Sequence, residues 1–426
     1  MAPLILIMLD GVAAGYLARN AARVPHLQAL AARGLQVECL AADLPATSLP
    51  GRTSILTGVD AAGHGVYGNL IWDGARFRYA NPDDVRAPTL TQRALAAGRD
   101  VAVLGYGMVR PEDATTFHHA WWANEMLQRA RDEAPIPADE GWVRTARHVD
   151  GSGRLDVLAA AGLPRGVPDA YAGDRMHYLM SEVTGDQTML QWTAALASGG
   201  ALLVSGAQLG ADAAPPDLIV TEVLTPDTVQ HAAGYEHPFA HWAISYADAL
   251  VGDVVRALAQ AGRLESTTLM VTSDHGHGPV ERAFYVDALL PGATTACEGG
   301  VLYVAVDGHE EATRIARRLA EHGIRRLPGE HLPAPRRDEV AAFVAGGATG
   351  FEASPPAARA GALEGPSRYP SGHGFTPGTP SDERFLVVAG PGVPHRRIAR
   401  ASSQDVAATA AALLGLAPLG SGRALA

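Results

Sequence analysis

The sequence predicts an α/β fold in which a doubly wound, mostly parallel sheet is flanked by helices on both faces. Three observations predict it. Short apolar runs alternate with helical patterns along the chain, which is the order of repeated strand–helix units. The apolar runs are continuous, as expected of strands buried on both faces. Of the 426 residues, 47% are hydrophobic and 19% are charged, which suits one large folded core and excludes long disordered stretches.

The elements follow in chain order, with glycines at several predicted helix ends. The predicted strands are Leu4–Leu9, Leu35–Leu40, Val101–Leu104, Asp217–Val223, Thr267–Thr272, Val301–Val306 and Phe385–Ala389. The predicted helices are Val24–Arg33, Thr89–Ala97, Gln187–Ala197, His237–Ala261, Glu310–Gly323 and Asp405–Leu414.

Two segments interrupt the alternation, at about 110–185 and about 279–370. The first is rich in charge, His, Trp and Pro. The second ends in Pro/Ala/Gly-rich chain, and its part from about 340 to 366 is predicted to be a flexible lid or surface loop. We therefore expect a single catalytic domain over residues 1–426, in which the two segments are insertions that form a cap.

Charge and cysteine usage limit the function classes. The net charge is -11, from 34 basic residues, all of them Arg, and 45 acidic ones, so no binding to nucleic-acid polymers or anionic membranes is expected. Cys39 and Cys297 form no metal-binding pattern and suit a reducing compartment. Met1–Asp10 lacks a basic start and no stretch reaches 18 apolar residues, so we expect a cytoplasmic protein without a membrane span.

Acidic and imidazole side chains follow the predicted strands. Because ligands of open α/β sheets bind beyond the carboxyl ends of the strands, we expect these side chains to meet at one edge. Six of them mix carboxylate and imidazole ligands, which suits two zinc ions with three protein ligands each, although manganese or iron could occupy similar sites. The six residues are Asp10, Asp227, His231, Asp274, His275 and His373.

The predicted nucleophile is Ser48, in a loop that enters a helix. Pro50 suits the first helical turn and Gly58 the helix end. The N-terminus of a helix favours anions, and coordination to a divalent metal lowers the pKa of a serine hydroxyl. This combination predicts a two-metal, in-line displacement on a small anionic phosphate or phosphonate ester.

At this point the motifs resemble a known family, the nucleotide pyrophosphatase/phosphodiesterase (type I phosphodiesterase) branch of the alkaline phosphatase superfamily, close to phosphonoacetate hydrolase. The resemblance covers about residues 3–420 without the two insertions. The matching pieces, in the family's order, are Leu9-Asp10-Gly11, Ser48-Leu49-Pro50, Thr57-Gly58, His64-Gly65 through Asn69, Pro226-Asp227 with His231, Ser273-Asp274-His275-Gly276, Gly372-His373-Gly374 and the closing segment Gln404–Leu416.

The resemblance implies a role for each of these residues. One zinc would be bound by Asp227, His231 and His373. The other would be bound by Asp10, Asp274 and His275, with Ser48 Oγ as a further ligand that forms a covalent phospho-enzyme. Asn69 would donate a hydrogen bond to a phosphate oxygen.

The chain also departs from the family pattern. The family usually has Thr as its nucleophile, and Thr47 stands next to Ser48, so a shift of one residue is an open alternative. Many relatives have Asn three residues after the nucleophile, where this chain has Gly51, so one substrate contact is expected to be missing.

Several functions stay open on the same fold. A phosphodiesterase or nucleotide pyrophosphatase leads, and a phosphonoacetate-type hydrolase with the same two-zinc centre is the alternative. A phosphomonoesterase is less favoured because no Arg clamp is identified. A sulfatase would fit the S-x-P-x-R pattern from Ser48 to Arg52 but would leave Asp227 and His231 without a role. A relative that binds ligand without catalysis is disfavoured, because every inferred ligand is present.

Some residues and properties receive no firm assignment from the sequence. His277 extends the cluster without an assigned role. His118, His119, Trp121 and Trp122 form either a packing cluster or the lining of a substrate pocket. The oligomeric state is open, with a homodimer as one option.

Overall fold

A computed structural model describes residues 2–41, 47–120, 122, 149–150, 175–199, 214–356, 358–359, 361–376, 378–379 and 382–426. Most of the predicted insertion at about 110–185 lies outside them, as does Trp121.

The described chain contains strands and α-helices in the following order. The strands are β1 Leu4–Leu9, β2 Leu35–Ala41, β3 Leu70–Trp72, β4 Phe77–Tyr79, β5 Val101–Leu104, β6 Thr116–His118, β7 Val149–Asp150, β8 Leu218–Val223, β9 Thr268–Thr272, β10 Gly278–Pro279, β11 Arg282–Tyr285, β12 Thr295–Glu298, β13 Val301–Ala305, β14 Arg325–Arg326, β15 Val340–Val344, β16 Thr349–Glu352, β17 Glu364–Pro366, β18 Ser371–Gly372, β19 Arg384–Ala389, β20 Arg396–Ile398 and β21 Ala401–Ser402. The helices are α1 Ala14–Arg19, α2 Pro25–Ala31, α3 Ser48–Thr57, α4 Ala61–His64, α5 Leu90–Ala96, α6 Arg175–Ser198, α7 Thr225–Ala233, α8 Pro238–Gln260, α9 Val286–Leu289, α10 Gly308–Ala320 and α11 Asp405–Leu413.

The central sheet has ten strands within the described residues, in the order β20-β2-β19-β9-β1-β8-β5-β6-β7, with β21 paired to β2. Its middle is parallel: β1 pairs in parallel with both β8 and β9, and β5 pairs in parallel with β8 and β6. Strand β19 is antiparallel to both of its neighbours, β9 and β2. The predicted fold class, a mostly parallel α/β sheet flanked by helices, is confirmed.

Strand β1 shows why the sheet carries helices on both faces. Its six side chains are all buried, and alternate residues enter opposite cores because side chains of a strand alternate between faces. Ile5, Ile7 and Leu9 pack with α2, α6 and α8 in one core. Leu4, Leu6 and Met8 pack with α3, α5 and α11 in the other core. Each such buried side chain contributes roughly 1.5–3 kcal/mol, so the middle of the sheet is firmly fixed.

A second, smaller part follows β9. Strands β12, β13, β15 and β14 form an antiparallel sheet, and α10 packs on it through Ala312, Ile315 and Leu319. The prediction of a flexible lid or surface loop at about 340–366 is wrong, because this range contains β15, β16 and β17. The five residues of β15 are all buried: their apolar side chains outweigh the Gly and Pro that follow.

One further prediction about a helix is corrected. The helix predicted as Gln187–Ala197 begins earlier, at Arg175. Asp227 lies in the first turn of α7, which begins shortly after β8. No helix within the described ranges is long and apolar enough to cross a lipid bilayer.

Candidate metal centre

The ends of three neighbouring strands bring the predicted acidic ligands to one edge of the sheet. The Cα atoms of Leu9 and Val223 are partners in the β1–β8 ladder, and those of Met8 and Thr272 are partners in the β1–β9 ladder. All three strands therefore end at the same level. Asp10 comes directly after β1, and Asp274 follows β9 by two residues.

Three overlapping groups of side chains each bring their ligand atoms within 4.8 Å of one another. The groups are Asp10/Asp274/His275, Asp227/His275/His373 and Asp227/His231/His277. The first group is the set that the family resemblance implies for one zinc. The set implied for the other zinc is divided: Asp227 and His373 belong to the second group, whereas Asp227 and His231 belong to the third, together with His277.

His275 lies at the centre of the first group. Its Nε2 is 3.2 Å from Asp10 Oδ1 and 3.7 Å from Asp274 Oδ2. Its Nδ1 is 2.9 Å from the carbonyl oxygen of Gly276, to which Nδ1–H donates, so Nε2 faces the two carboxylates. Imidazoles that bind metals are usually held in this way through their second nitrogen.

Charges in this pocket favour one more cation. Burial opposes a positive charge on His275, but Asp274 and Asp10 outweigh it and raise the pKa of the imidazole to about 10. Burial and the neighbouring Asp10 raise the pKa of Asp274 to about 7. A dication bound here would relieve the repulsion between the carboxylates.

Unpaired buried atoms test whether the residues fit a metal. Four buried ligand atoms have no hydrogen-bond partner among the described residues, although buried polar atoms in proteins nearly always have one. They are Asp10 Oδ1, Asp227 Oδ1, His277 Nε2 and His373 Nδ1. Carboxylate oxygens and imidazole nitrogens are the ligand types that suit zinc, so the residues fit the ions that the family resemblance implies.

A buried arginine holds the carboxylates from behind. The guanidinium of Arg52 donates from Nη2 to Asp10 Oδ2 at 2.5 Å, from Nη1 to Asp274 Oδ2 at 2.8 Å and from Nε to Glu222 Oε2 at 2.8 Å. The indole of Trp122 lies 5.4 Å from the guanidinium carbon and donates to Glu222 Oε1 at 2.6 Å. Because Arg52 occupies Oδ2 of Asp10, Oδ1 remains for a metal ion.

The charge of Arg52 also acts on the acids around it. Burial favours the neutral form of Asp10, but the guanidinium outweighs burial and keeps the pKa of Asp10 below its usual value. In the sequence, Arg52 stands out only as part of a sulfatase-like pattern, and its contacts with the three carboxylates were not predicted. Its position one helical turn after Ser48, on the same face of α3, is the signal that points toward the site.

Ser48 begins α3, and its Oγ lies 3.1 Å from His275 Nε2. Thr47, the alternative nucleophile, is fully buried. The geometry therefore favours Ser48 over Thr47 as the hydroxyl that faces the ligand cluster.

Gly51 allows α3 to approach the end of β9. A Cβ atom at this position would lie 2.2 Å from the carbonyl oxygen of Asp274, far inside van der Waals contact. An asparagine, the residue that the family resemblance implies here, would require α3 to move away from this strand end. The glycine thus brings Ser48 and Arg52 close to Asp274.

Asn69 lies beside the start of α3. Its Oδ1 accepts a hydrogen bond from Leu49 N–H at 2.8 Å, so the amide nitrogen is the end that can donate to a substrate. The carboxylate of Glu298, at the end of β12, accepts from the backbone N–H groups of Asn69 at 3.0 Å and Leu70 at 2.6 Å. The small sheet therefore helps to position Asn69.

The start of α7, which carries Asp227, is fixed by a side chain of α6. The carboxylate of Asp186 accepts hydrogen bonds from Leu224 N–H, from Thr225 N–H at 2.9 Å and from the Thr225 hydroxyl at 2.6 Å. Burial outweighs these bonds and raises the pKa of Asp186 to about 7.

The aromatic and imidazole patch of the first insertion is described only in part. The rings of His118 and His119 stack with centroids 5.1 Å apart, and the edge of Trp192 meets His118 at 5.0 Å. Together with Trp122 over Arg52, these contacts support the packing interpretation. Trp121 lies outside the described residues.

Comparisons with a family profile and with solved structures add the following findings. Residues 4–355 match the profile of the family described as type I phosphodiesterase/nucleotide pyrophosphatase. The chain is similar in structure to murine ectonucleotide pyrophosphatase/phosphodiesterase 5, with a TM-score of 0.66, 16% sequence identity and coverage of 99% of this chain and 97% of that chain. An inactive variant of the murine protein in complex with AMP has a TM-score of 0.66 at 15% identity, with coverage of 99% and 97%.

The human ectonucleotide pyrophosphatase/phosphodiesterase 5 gives a TM-score of 0.65 at 15% identity, with coverage of 98% of this chain and 96% of that chain. At such low identity these structural likenesses show a shared fold alone. A comparison with curated protein sequences gave no match.

Proposed function

The chain belongs to the type I phosphodiesterase/nucleotide pyrophosphatase family, and from this we propose that it is a dinuclear-zinc hydrolase of phosphodiester or nucleotide pyrophosphate-type bonds, with Ser48 as its nucleophile. The observation that carries the proposal is the position of Ser48 Oγ, 3.1 Å from His275 Nε2 and beside the Asp10/Asp274/His275 group. The fit of these residues to a metal ion supports the rest.

The proposed ligands follow the family resemblance. Asp10, Asp274 and His275 would hold one ion beside Ser48, and Asp227, His231 and His373 would hold the other. Zinc suits these ligand types, and manganese or iron are alternatives. When bound, the ions would supply positive charge to the phosphoryl group and lower the pKa of the serine hydroxyl.

The chain's own residues would act in a defined order. Asn69 would donate from its amide nitrogen to a phosphoryl oxygen and orient the ester. Ser48 Oγ would lose its proton to water and form a bond to phosphorus, while the bond from phosphorus to the leaving oxygen breaks and the leaving oxygen takes the electron pair and picks up a proton from water. A water molecule would then cleave the Ser48 ester, releasing the phosphate product and restoring the hydroxyl. Arg52 would keep Asp10 and Asp274 in place throughout.

The substrate is proposed to be a small anionic ester with a nucleotide-like group. The complex of a similar protein with AMP supports a nucleotide. We further propose that the insertion at about 279–370 forms a cap that contributes to specificity. Its contact to the site through Glu298, which binds the backbone of Asn69, supports this role.

Turnover of three substrates before and after removal of metal tests the proposal. A nitrophenyl phosphate diester should be hydrolysed faster than the corresponding monoester or phosphonoacetate. Chelation should abolish turnover and added zinc should restore it. Preference for phosphonoacetate would instead support the phosphonate hydrolase alternative.

Substitution at the two neighbouring hydroxyls tests the nucleophile. Ser48→Ala should lower kcat by on the order of 10³-fold or more, as for other covalent catalysts. Thr47→Val, the matched control, should retain turnover per folded molecule. Intact-mass measurement should show an unmodified Ser48, because formylglycine at this position would indicate a sulfatase. Full activity of Ser48→Ala, or of the chelated enzyme, would contradict the proposal.

A further inference from the structure

His277 is a buried imidazole at the Asp227 end of the site to which the family resemblance assigns no role. It lies just before β10, which pairs with β18 just ahead of His373, so the two histidines come together with ring centroids 5.7 Å apart. The ring of His231 is closer, at 4.6 Å.

The directions of the hydrogen bonds around Ser371 fix the orientation of His277. The hydroxyl of Ser371 donates to the carbonyl oxygen of Gly278 at 3.0 Å. The same hydroxyl oxygen therefore accepts from His277 Nδ1–H. This leaves His277 Nε2 with its lone pair directed away from Ser371.

The Nε2 lone pair of His277 faces a carboxylate oxygen of Asp227. His277 Nε2 lies 3.1 Å from Asp227 Oδ1, yet neither atom has a hydrogen-bond partner among the described residues. Two lone pairs at this separation repel each other, and a cation bound to both would remove the repulsion. Buried acceptors without partners are costly, so a site that keeps them needs a ligand.

Ser371 orients a second imidazole in the same manner. Its carbonyl oxygen accepts from His231 Nδ1–H at 3.0 Å, which directs His231 Nε2 to within 3.4 Å of Asp227 Oδ2. Metal-binding histidines typically donate their other ring N–H to such a partner. One residue thus prepares both His231 and His277 for a shared ion.

Within the described residues, His373 has no such hydrogen bond to orient its ring. Its Nε2 is 3.9 Å from Asp227 Oδ1, and its buried Nδ1 has no hydrogen-bond partner within the described chain. Its ring stacks on His275 with centroids 3.9 Å apart. His277 is therefore better oriented toward Asp227 than His373 is.

Resting on the proposed function, we propose that His277 is a ligand of the metal ion held by Asp227 and His231, and that Ser371 orients both imidazoles. His277 adds an imidazole to those that the family resemblance implies for this ion.

Metal binding itself tests the inference. Zinc per chain would be measured by elemental mass spectrometry after dialysis, and affinity by competition with a chelator. His277→Ala should weaken one of two sites by at least about 100-fold, since loss of an orienting partner alone typically costs 10–100-fold. Ser371→Ala, which keeps the carbonyl that holds His231, should weaken the same site by about 10-fold. His309→Ala, an exposed histidine of α10, is the matched control and should change nothing.

A measurement on the wild-type protein tests the inference without depending on whether the variants fold. X-ray absorption at the zinc edge should show more imidazoles per zinc than His231, His275 and His373 alone can supply. A count that these three histidines satisfy overturns the inference. Two wild-type sites with unchanged affinity in His277→Ala overturn it as well and leave the proposed function standing. A wild-type chain that binds no ion overturns both.

Discussion

Removal of the Arg52 guanidinium should destabilise the metal-free protein strongly and the metal-loaded protein much less. Arg52→Met keeps an apolar stem but removes the hydrogen bonds to Asp10, Asp274 and Glu222, whose side chains are at most 5% exposed. Loss of one partner from a buried ion pair typically costs about 3–5 kcal/mol. Here three carboxylates lose a shared partner, so we expect a cost at the upper end of that range, about 5 kcal/mol.

Zinc should reduce this cost because an ion bound by Asp10 and Asp274 replaces part of the lost positive charge. Urea unfolding with chelator and with excess zinc would measure both values. The matched control is Arg33→Met, which breaks an exposed pair to Glu265 (43% and 83% exposed) and should cost about 1 kcal/mol or less. The reasoning would be refuted if Arg52→Met lost no more stability than Arg33→Met, or if zinc did not reduce the stability that Arg52→Met loses.

Three further predictions concern the surroundings of the site. Gly51→Ala should cost about 1–3 kcal/mol in stability and lower activity, because the added methyl overlaps the carbonyl of Asp274, whereas Gly329→Ala, which meets open space, should change thermal unfolding little. Burial lowers the pKa of His64 from 6.5 to about 3. Between these two pH values the folded state therefore binds fewer protons than the unfolded chain. Stability should fall by up to about 1.4 kcal/mol per pH unit as the pH drops from 6.5 toward 3, and His64→Gln should remove this part of the slope in urea unfolding at a series of pH values. Asp186→Ala should loosen the start of α7 and lower the free energy of unfolding by about 1–2 kcal/mol. It should also weaken zinc binding, measured by competition with a chelator. Unchanged zinc affinity would show that α7 is positioned without this carboxylate.

The strands of the core could be predicted from the sequence because they are continuous apolar runs with clear ends. Leu4–Leu9 and Val101–Leu104 have the predicted bounds. The long helix α6 was predicted only in its second half. Gly185 and Asp186 disfavour a helix locally, but the packing of α6 on α8 and on the start of α7 outweighs this preference.

The site was predictable to the extent that it follows from strand ends and motifs. The structure brings the six proposed ligands together in overlapping groups that also include His277, and their role as metal ligands stays a prediction. Arg52 could not be assigned in this way, because its three partners are 42, 170 and 222 residues away in sequence. His277 could not be assigned from the sequence, because its contacts with Ser371 and Asp227 join distant parts of the chain.

The link between β12 and β13 has a consequence for building chimaeras of related enzymes. Gly299 has a φ of +53°, and a Cβ there would lie 2.1 Å from the carbonyl oxygen of His373, while Gly300 N–H donates to that oxygen at 3.0 Å. Glu298, the preceding residue, holds Asn69. A chimaera that exchanges the small sheet to alter leaving-group preference must therefore keep Glu298-Gly299-Gly300 unchanged. Otherwise the recipient would lose the positions of Asn69 and His373, which lie on opposite sides of its reaction centre.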